Sequence, residues 1–202
     1  MSAKNKPELT NPPELFYDRK ESGKYHRSSR IQKIQREIAE RCVELLEVEE
    51  KSHGLMVLDI GCGTGISTEC VTGAFDDAVV AGMDISSEML NCVEDENVEL
   101  FLGDIGEKWP FSDGVFDYAI SCSVIQWLFQ SYKKQDIPAR RIRGFFSELH
   151  RTVKTKAVLQ FYASRKETEI LTKAAKRAGF VGGLQVDGEG TRNEKKFLVL
   201  WK

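Results

Sequence analysis

Apolar residues along this chain gather in seven short runs, most of them separated by stretches with helical spacing. Leu55–Ile60, Val79–Met83, Val98–Leu102, Phe116–Cys122, Ala157–Tyr162, Phe180–Asp187 and Lys195–Trp201 each predict a strand. Ahead of the first, Ile31, Ile34, Ile38, Cys42 and Leu45 recur every three or four residues, and Ser29-x-x-Gln32 reads as a capping box opening that helix. Ser86 caps a helix carrying Met89, Leu90 and Val93. Pro138 opens a longer one with Ile142, Phe145, Phe146, Leu149 and Val153 inward. Ser164-x-x-Glu167 caps the next, which stops at Gly179. The stretch to Arg27, with Pro7, Pro12 and Pro13, predicts irregular backbone. Asp113-Gly114 marks a turn, and the Gly188–Asn193 loop closes a hairpin between the last two strands. Strands alternating with helices imply a parallel α/β sheet wound on both faces, with an antiparallel pair at its end.

The first strand runs directly into a glycine loop, Val57-Leu58-Asp59-Ile60-Gly61-Cys62-Gly63-Thr64-Gly65. Glycine at a strand-to-helix turn accepts positive φ and lets the backbone approach a ligand. Asp84 ends the second apolar run and Asp104 the third. A glycine loop with a carboxylate about 20 residues further on suits a nucleoside ribose held by its hydroxyls. The spacing is Gly-x-Gly-x-Gly, and Ile66 stands where a dinucleotide fingerprint needs Gly or Ala. This favours S-adenosylmethionine over NAD, because the sulfonium end carries no pyrophosphate needing a helix N-terminus. The expected cofactor contacts are Asp59, Gly61, Cys62, Gly63, Asp84, Ile85, Asp104, Ile105 and Ser121, with Tyr25 closing from the N-terminal side. Asp84 is assigned to the ribose hydroxyls and Asp104 to the adenine amino group.

Composition narrows the class without naming the substrate. The 202 residues, 41% hydrophobic and 30% charged, suit one α/β domain with a real core. No apolar run approaches the ~20 residues needed to cross a bilayer, and the polar start shows no signal peptide. Five scattered cysteines without a Cys-x-x-Cys pair fit a reducing compartment, and no zinc or other metal site is expected in the chain. A net charge of −2 argues against indiscriminate nucleic-acid binding but leaves room for a local basic patch.

Several segments outside the glycine loop carry a narrower resemblance. They are Pro12-Pro13-Glu14-Leu15-Phe16-Tyr17-Asp18 with Arg19–Arg30, Met83-Asp84-Ile85-Ser86, Leu102–Ile105, and Ser121-Cys122-Ser123-Val124-Ile125-Gln126-Trp127-Leu128. Lys133-Lys134 through Pro138-x-Arg140 to Phe145-Phe146, and Ala178-Gly179-Phe180 with Gly182-Gly183, complete the set. Together they span essentially the whole chain, which resembles the eukaryotic small-subunit (18S) ribosomal RNA guanine-N7 methyltransferase family. The resemblance implies a seven-stranded Rossmann-like class I methyltransferase sheet, strand order 3-2-1-4-5-7-6 with the last strand antiparallel. Residues 1–54 are then a segment and helix covering the cofactor and substrate site. Residues 55–202 are the S-adenosylmethionine-binding domain, the whole forming one compact unit. Asn11-Pro12-Pro13 mimics the Asn-Pro-Pro of amino-methyltransferases, but it precedes the glycine loop instead of following the fourth strand. The family usually continues into a basic tail with nuclear-localisation character, whereas this sequence stops at Lys202; the expected locations are nucleus and cytoplasm.

Guanine N7 carries an in-plane lone pair and no proton, so methyl transfer to it needs orientation and no general base. His26, His53 and His150 are accordingly isolated, and Cys62 reads as a small buried neighbour. The chemistry calls for a flat slot to stack the purine and donors to its O6, roles suited to Trp127 and Gln126, with Tyr17 facing them; each aromatic would serve equally as core. Lys133, Lys134, Arg140 and Arg141 form the expected RNA rim, or else a solvated helix face. Arg19, Lys20, Lys24, Arg27 and Arg30 make a second basic stretch. The resemblance further implies a small zinc-binding activator subunit adding a strand at the third-strand edge, Val98, Leu100, Phe101 and Leu102, and a pre-ribosomal particle as the other partner. Two other functions fit the same loop and carboxylates: a small-molecule methyltransferase, and a cofactor-binding assembly factor.

Overall fold

A computed structural model describes residues 7–49, 52–133 and 136–202. Seven strands run β1 Met56–Ile60, β2 Val79–Asp84, β3 Glu99–Leu102, β4 Phe116–Cys122, β5 Val153–Phe161, β6 Val181–Asp187 and β7 Lys195–Trp201. They form one sheet in the order β3-β2-β1-β4-β5-β7-β6, the order expected of a class I methyltransferase. All pairings are parallel except those of β7, which is antiparallel to both β5 and β6.

Period-2 alternation explains why both faces are covered. Leu58 of β1, Ala119 of β4, Leu159 of β5 and Leu198 of β7 point into one core, with Phe145, Phe146 and Leu149 of α6 (Pro138–Thr152) and Leu171 of α7 (Arg165–Arg177). Their neighbours Val57, Ile120, Val158 and Phe197 point the other way, against Ile38, Cys42 and Leu46 of α3 (Ser29–Leu46) and Val71 of α4 (Ile66–Ala74). Both layers are buried, which is why the strands read as continuous apolar runs.

Three expectations about local structure are corrected. Of the stretch to Arg27, the described residues 7–27 are not irregular, since they hold α1 (Pro13–Phe16) and α2 (Arg19–Arg27). Asp18 starts α2 by accepting from the Lys20 and Glu21 backbone N–H groups. The cap of α3 is Ser28, which accepts from the Ile31 N–H; Gln32, the expected box partner of Ser29, turns back to the His26 carbonyl instead. Strand β5 starts at Val153, four residues before the expected Ala157, because α6 passes into it without a loop. The capping box of Ser164 and Glu167 is present as read.

Candidate functional site

The carboxyl ends of β1, β2 and β4 and the loop after β3 meet beneath α1 and α2. Gly61, Gly63 and Gly65 all adopt positive φ, and a Cβ on Gly61 would lie 2.2 Å from Val124 Cγ2, so the loop cannot carry side chains there. Asp59 is fully buried behind it, and its Oδ2 accepts from Ser67 Oγ at 2.6 Å and Thr68 Oγ1 at 2.7 Å, tying β1 to the start of α4. Burial pushes its carboxyl up to about 6, against the pull of those two hydroxyls and with a further push from Asp84. Cys62 is a buried thiol whose pKa burial raises well above the ordinary range, the environment of a packing residue and not of a nucleophile.

Asp84 faces the loop from the end of β2. Its Oδ2 accepts from the Gly63 N–H at 3.0 Å and its Oδ1 from the Ser86 N–H at 2.8 Å. Burial raises its pKa while these backbone donors hold it down. Ser86 Oγ caps α5 (Ser87–Leu90) and also donates to the Tyr17 carbonyl at 2.8 Å, fastening the N-terminal segment over the site.

Asp104 and Arg141 are not where their separate roles would put them. The Arg141 guanidinium grips Asp104 through two parallel bonds of 2.9 Å, and Asp104 Oδ1 also accepts from the Gly106 N–H. Arg141 is therefore withdrawn from the expected RNA rim. A carboxylate has about four acceptor positions, so Oδ2 keeps one for a further donor. Lys133 pairs with Glu14 at 3.3 Å, Arg140 is exposed, and Lys134 lies outside the described residues. Ser121 is also corrected as a ligand contact, since its hydroxyl donates to the Ile60 carbonyl, crossing from β4 to β1. Ile105 is buried, and Ile85 lines a cleft of about 30 Å³ with Pro13, Asp104, Trp127, Tyr132 and Arg141.

Beyond β4 the chain turns sharply at Ser123, whose φ of 61° is unusual for a residue with a side chain. Its N–H donates to the Gln160 carbonyl and its hydroxyl to the Gln160 side chain, which holds the turn. A 3-10 turn, Ile125–Phe129, then carries Gln126 and Trp127 inward. Trp127 is 8% exposed and packs with Phe16 (6.3 Å between ring centroids) and Tyr17 (6.0 Å); Tyr17 in turn meets Tyr25 edge-on at 5.9 Å. The expected aromatic residues are thus brought together beyond the end of β2, where the Tyr17 carbonyl takes the Ser86 hydroxyl and Trp127 lines the cleft with Ile85 and Asp104. Burial raises the pKa of both tyrosines, and the Asp84 charge adds to each. Gln126, expected to donate to O6, commits one N–H of its Nε2 to the Ser123 carbonyl at 2.6 Å.

Besides Phe16 and Thr64, three further residues of the site were missing from the sequence reading. Tyr162 follows β5 at the same carboxyl edge, a position that strand order alone marks as ligand-facing. Glu8 and Tyr132 carried no such signal. Glu8 accepts from the Tyr162 hydroxyl at 2.9 Å, and its carbonyl accepts from the Tyr132 hydroxyl. The histidines serve other contacts: His26 faces Glu94, His53 faces Asp77, and His150 packs edge-on against Phe180.

The residues fit S-adenosylmethionine on one further observation. Asp59 Oδ1 and Thr64 Oγ1 are buried at the glycine loop without a hydrogen-bond partner among the described residues. An orphaned acceptor beside an orphaned hydroxyl matches the ammonium and carboxylate of an amino-acid tail. Asp84 keeps acceptor positions for two ribose hydroxyls, since each of its oxygens accepts one N–H.

Comparison with known proteins agrees with this geometry. A family model described as "Methyltransferase domain" matches residues 57–156. Among solved structures, a putative S-adenosyl-L-methionine-dependent methyltransferase of Methanococcus maripaludis superposes with a TM-score of 0.68 at 15% identity, over 92% of this chain and 93% of the other. A chain of the complex between the Haloferax volcanii Trm112 methyltransferase activator and a putative methyltransferase gives 0.59 at 13% identity, over 89% of this chain and 97% of that one. At such identities these two show the fold. A Dictyostelium discoideum protein named probable 18S rRNA (guanine-N(7))-methyltransferase is 45% identical over 203 residues, covering 98% of this chain and 70% of its own length. With an identity that high over nearly all of its residues, the chain belongs to the 18S rRNA (guanine-N7)-methyltransferase family.

Proposed function

We propose that the protein transfers a methyl group from S-adenosylmethionine to N7 of a guanine in small-subunit ribosomal RNA, during assembly of that subunit. The observation that carries this reading is the aromatic cluster of Phe16, Tyr17 and Trp127, with Trp127 lining a cleft beside Ile85 and Asp104 at the carboxyl end of the sheet. The bound cofactor supplies an electrophilic methyl on a sulfonium. Everything else is positioning: Asp84 takes the ribose, Asp104 Oδ2 the adenine amino group, and Asp59 with Thr64 the amino-acid tail. Ile85 and Ile105 flank the adenine. Trp127 and Tyr17 hold the purine flat, so that the N7 lone pair is presented without a base to activate it. A cleft of about 30 Å³ is far below the several hundred that a drug-sized ligand occupies. Residues 7–27 therefore act as a lid that shifts to admit the base.

The exposed basic residues Arg19, Lys20, Arg27 and Arg30 on α2 and early α3, with Arg140, are the proposed phosphate contacts. The sheet edge at β3 is the proposed seat of a small activator subunit. Gly103 N–H donates inward to the Asp84 carbonyl, so by alternation the backbone groups of Leu100 and Leu102 face away from β2. Both side chains are exposed, whereas Val98 is buried and Phe101 packs against Phe111, which removes those two from the contact surface expected of the edge. Nucleus and cytoplasm are the proposed locations. The test of function is methylation of small-subunit RNA in vitro with labelled cofactor, followed by borohydride reduction and aniline cleavage. A single cleaved guanosine is expected; label recovered on any atom other than N7 would overturn the reading.

A further inference from the structure

We propose that Arg141 sets the nucleobase selectivity of the cofactor site, by clamping Asp104 so that a single acceptor position is left to face the base. This deepens the S-adenosylmethionine reading and rests on Asp104 as the adenine contact. The starting point is an accounting of one carboxylate, which has about four acceptor positions. Three are filled, by Arg141 Nη2 and the Gly106 N–H on Oδ1 and by Arg141 Nη1 on Oδ2. What remains is one lone-pair direction on Oδ2. It is fixed in space, because a guanidinium fork on both oxygens leaves the carboxylate no freedom to turn. The two side chains are 15% and 27% exposed, and partly solvated ion pairs add little net stability. Orientation is the larger effect of this pair.

The surroundings make room for the guanidinium. A Cβ on Gly106 would lie 2.7 Å from Arg141 Cζ and 2.9 Å from its Nε. Gly106 lies outside the left-handed region, so its missing side chain serves space and not backbone freedom. Gly144 lets α6 come close in the same way, since a Cβ there would lie 3.2 Å from the Gly106 carbonyl oxygen. Further along α6, Glu148 accepts from the Trp109 N–H at 2.9 Å, which fastens the far end of the same loop. Helix α6 thus grips the loop after β3 at both ends, and Arg141 is the grip on the ligand side, lining one cleft with Asp104 and Ile85. Adenine presents an amino donor at C6 and a lone pair at N1. Hypoxanthine presents a carbonyl oxygen at C6 and a donor at N1, the same pattern reversed. A clamped acceptor takes the adenine amino group and repels the hypoxanthine O6. A carboxylate free to turn swings to the hypoxanthine N1–H and loses the distinction.

The experiment is calorimetry on the full chain, together with any activator subunit it requires. It compares S-adenosylhomocysteine with S-inosylhomocysteine, which carries hypoxanthine in place of adenine. Sites built to hydrogen-bond a ligand N–H reject analogues lacking it strongly, so wild type is expected to prefer the adenine form by about 100-fold. In Arg141→Met the preference shrinks to within about tenfold, because S-adenosylhomocysteine binds more weakly while S-inosylhomocysteine binds no more weakly than to wild type. Arg141→Lys keeps a cation but not the fork, and it is expected to follow Arg141→Met. Gly106→Ala pushes the guanidinium off its seat and should shrink the preference in the same direction. An unchanged preference in Arg141→Met and Gly106→Ala overturns the proposal, and so does full retention in Arg141→Lys. A parallel loss of both ligands also overturns it, since that would make Arg141 a strut of the loop and not a selector. Should wild type bind the two ligands alike, Asp104 does not meet the base, and the adenine assignment itself fails.

Discussion

Replacing Asp59 with asparagine tests how the glycine loop spends stability on a charge. The native carboxyl sits at about 6 against an ordinary 3.8, chiefly because it is fully buried. At about 1.36 kcal/mol per pH unit, this corresponds to about 3 kcal/mol against the folded state once the group is ionised. The sign follows from proton binding. Between pH 3.8 and about 6 the folded chain holds the proton more tightly than the unfolded chain, so stability falls as pH rises through that window and is level above it. Asparagine keeps an oxygen for Ser67 and Thr68 and cannot ionise. Its amino group leaves one buried donor to satisfy, at a cost of about 1 kcal/mol. Without cofactor, Asp59→Asn should therefore be the more stable protein at pH 8, by about 2 kcal/mol, and its advantage at pH 5 should be smaller by about 1 kcal/mol. Urea denaturation of both proteins across that range measures the difference directly, since all other titrations cancel. The same substitution should weaken S-adenosylmethionine binding about 10- to 100-fold, because a charge-assisted bond to an ammonium is lost. A stability difference that does not change with pH, or a variant less stable at both ends, would refute the reasoning.

Other substitutions probe the remaining parts. Asp84→Ala should cost about 2–3 kcal/mol in cofactor affinity by calorimetry, and it should also loosen the unliganded loop, since the Gly63 and Ser86 N–H groups lose their acceptor. Trp127→Leu keeps apolar bulk in a buried position but removes the stacking platform; kcat/KM for RNA should fall about 10- to 100-fold with cofactor affinity retained, and a parallel loss of both would place Trp127 in the scaffold. Arg141→Met frees the Asp104 carboxylate without emptying the space, and a shifted cofactor affinity with RNA affinity unchanged in a filter assay is expected; the reverse pattern would return Arg141 to the rim. Leu100→Pro removes an outward N–H from β3 and should weaken a co-purified activator complex, whereas Glu99→Pro removes an inward one and should destabilise the sheet itself, visible as a lower melting temperature.

Strands were the most legible part of the chain. Phe116–Cys122 and Lys195–Trp201 have the boundaries their apolar runs predict, because each is flanked by turn residues and buried on both faces. Helix α2 was hidden because only Tyr25 marks its inner face, and Gly23 with the nearby prolines imitates a loop. Ser28 and Ser29 are adjacent, and spacing to Gln32 favours the wrong one; only the Ile31 N–H decides between them. At the site, the glycine loop and Asp84 were readable because a ligand-facing turn demands particular residues at fixed spacing. Arg141 was not readable: a cation in a basic run looks alike in sequence whether water or a carboxylate 37 positions away surrounds it. Glu8 lies further still from its contact, with 154 positions separating it from Tyr162. Residue type told what each group could do, and the winding of the sheet decided what it met.

Strand β7 has a consequence for how the molecule is made. Although last in sequence, it lies between β5 and β6 and supplies Phe197 to one core and Leu198 and Leu200 to the other. A nascent chain that has emerged only as far as the Gly188–Asn193 loop holds β1 to β5 in place but offers the nine-residue β5 as an open edge, with β6 unable to join it. Synthesis at about 5–20 residues per second leaves that edge uncovered only briefly, yet any pause there exposes apolar backbone to whatever strand is nearest. The interval between emergence of the Gly188–Asn193 loop from the ribosome and emergence of Trp201 is thus where translation speed bears most directly on yield, because the sheet cannot close until β7 arrives.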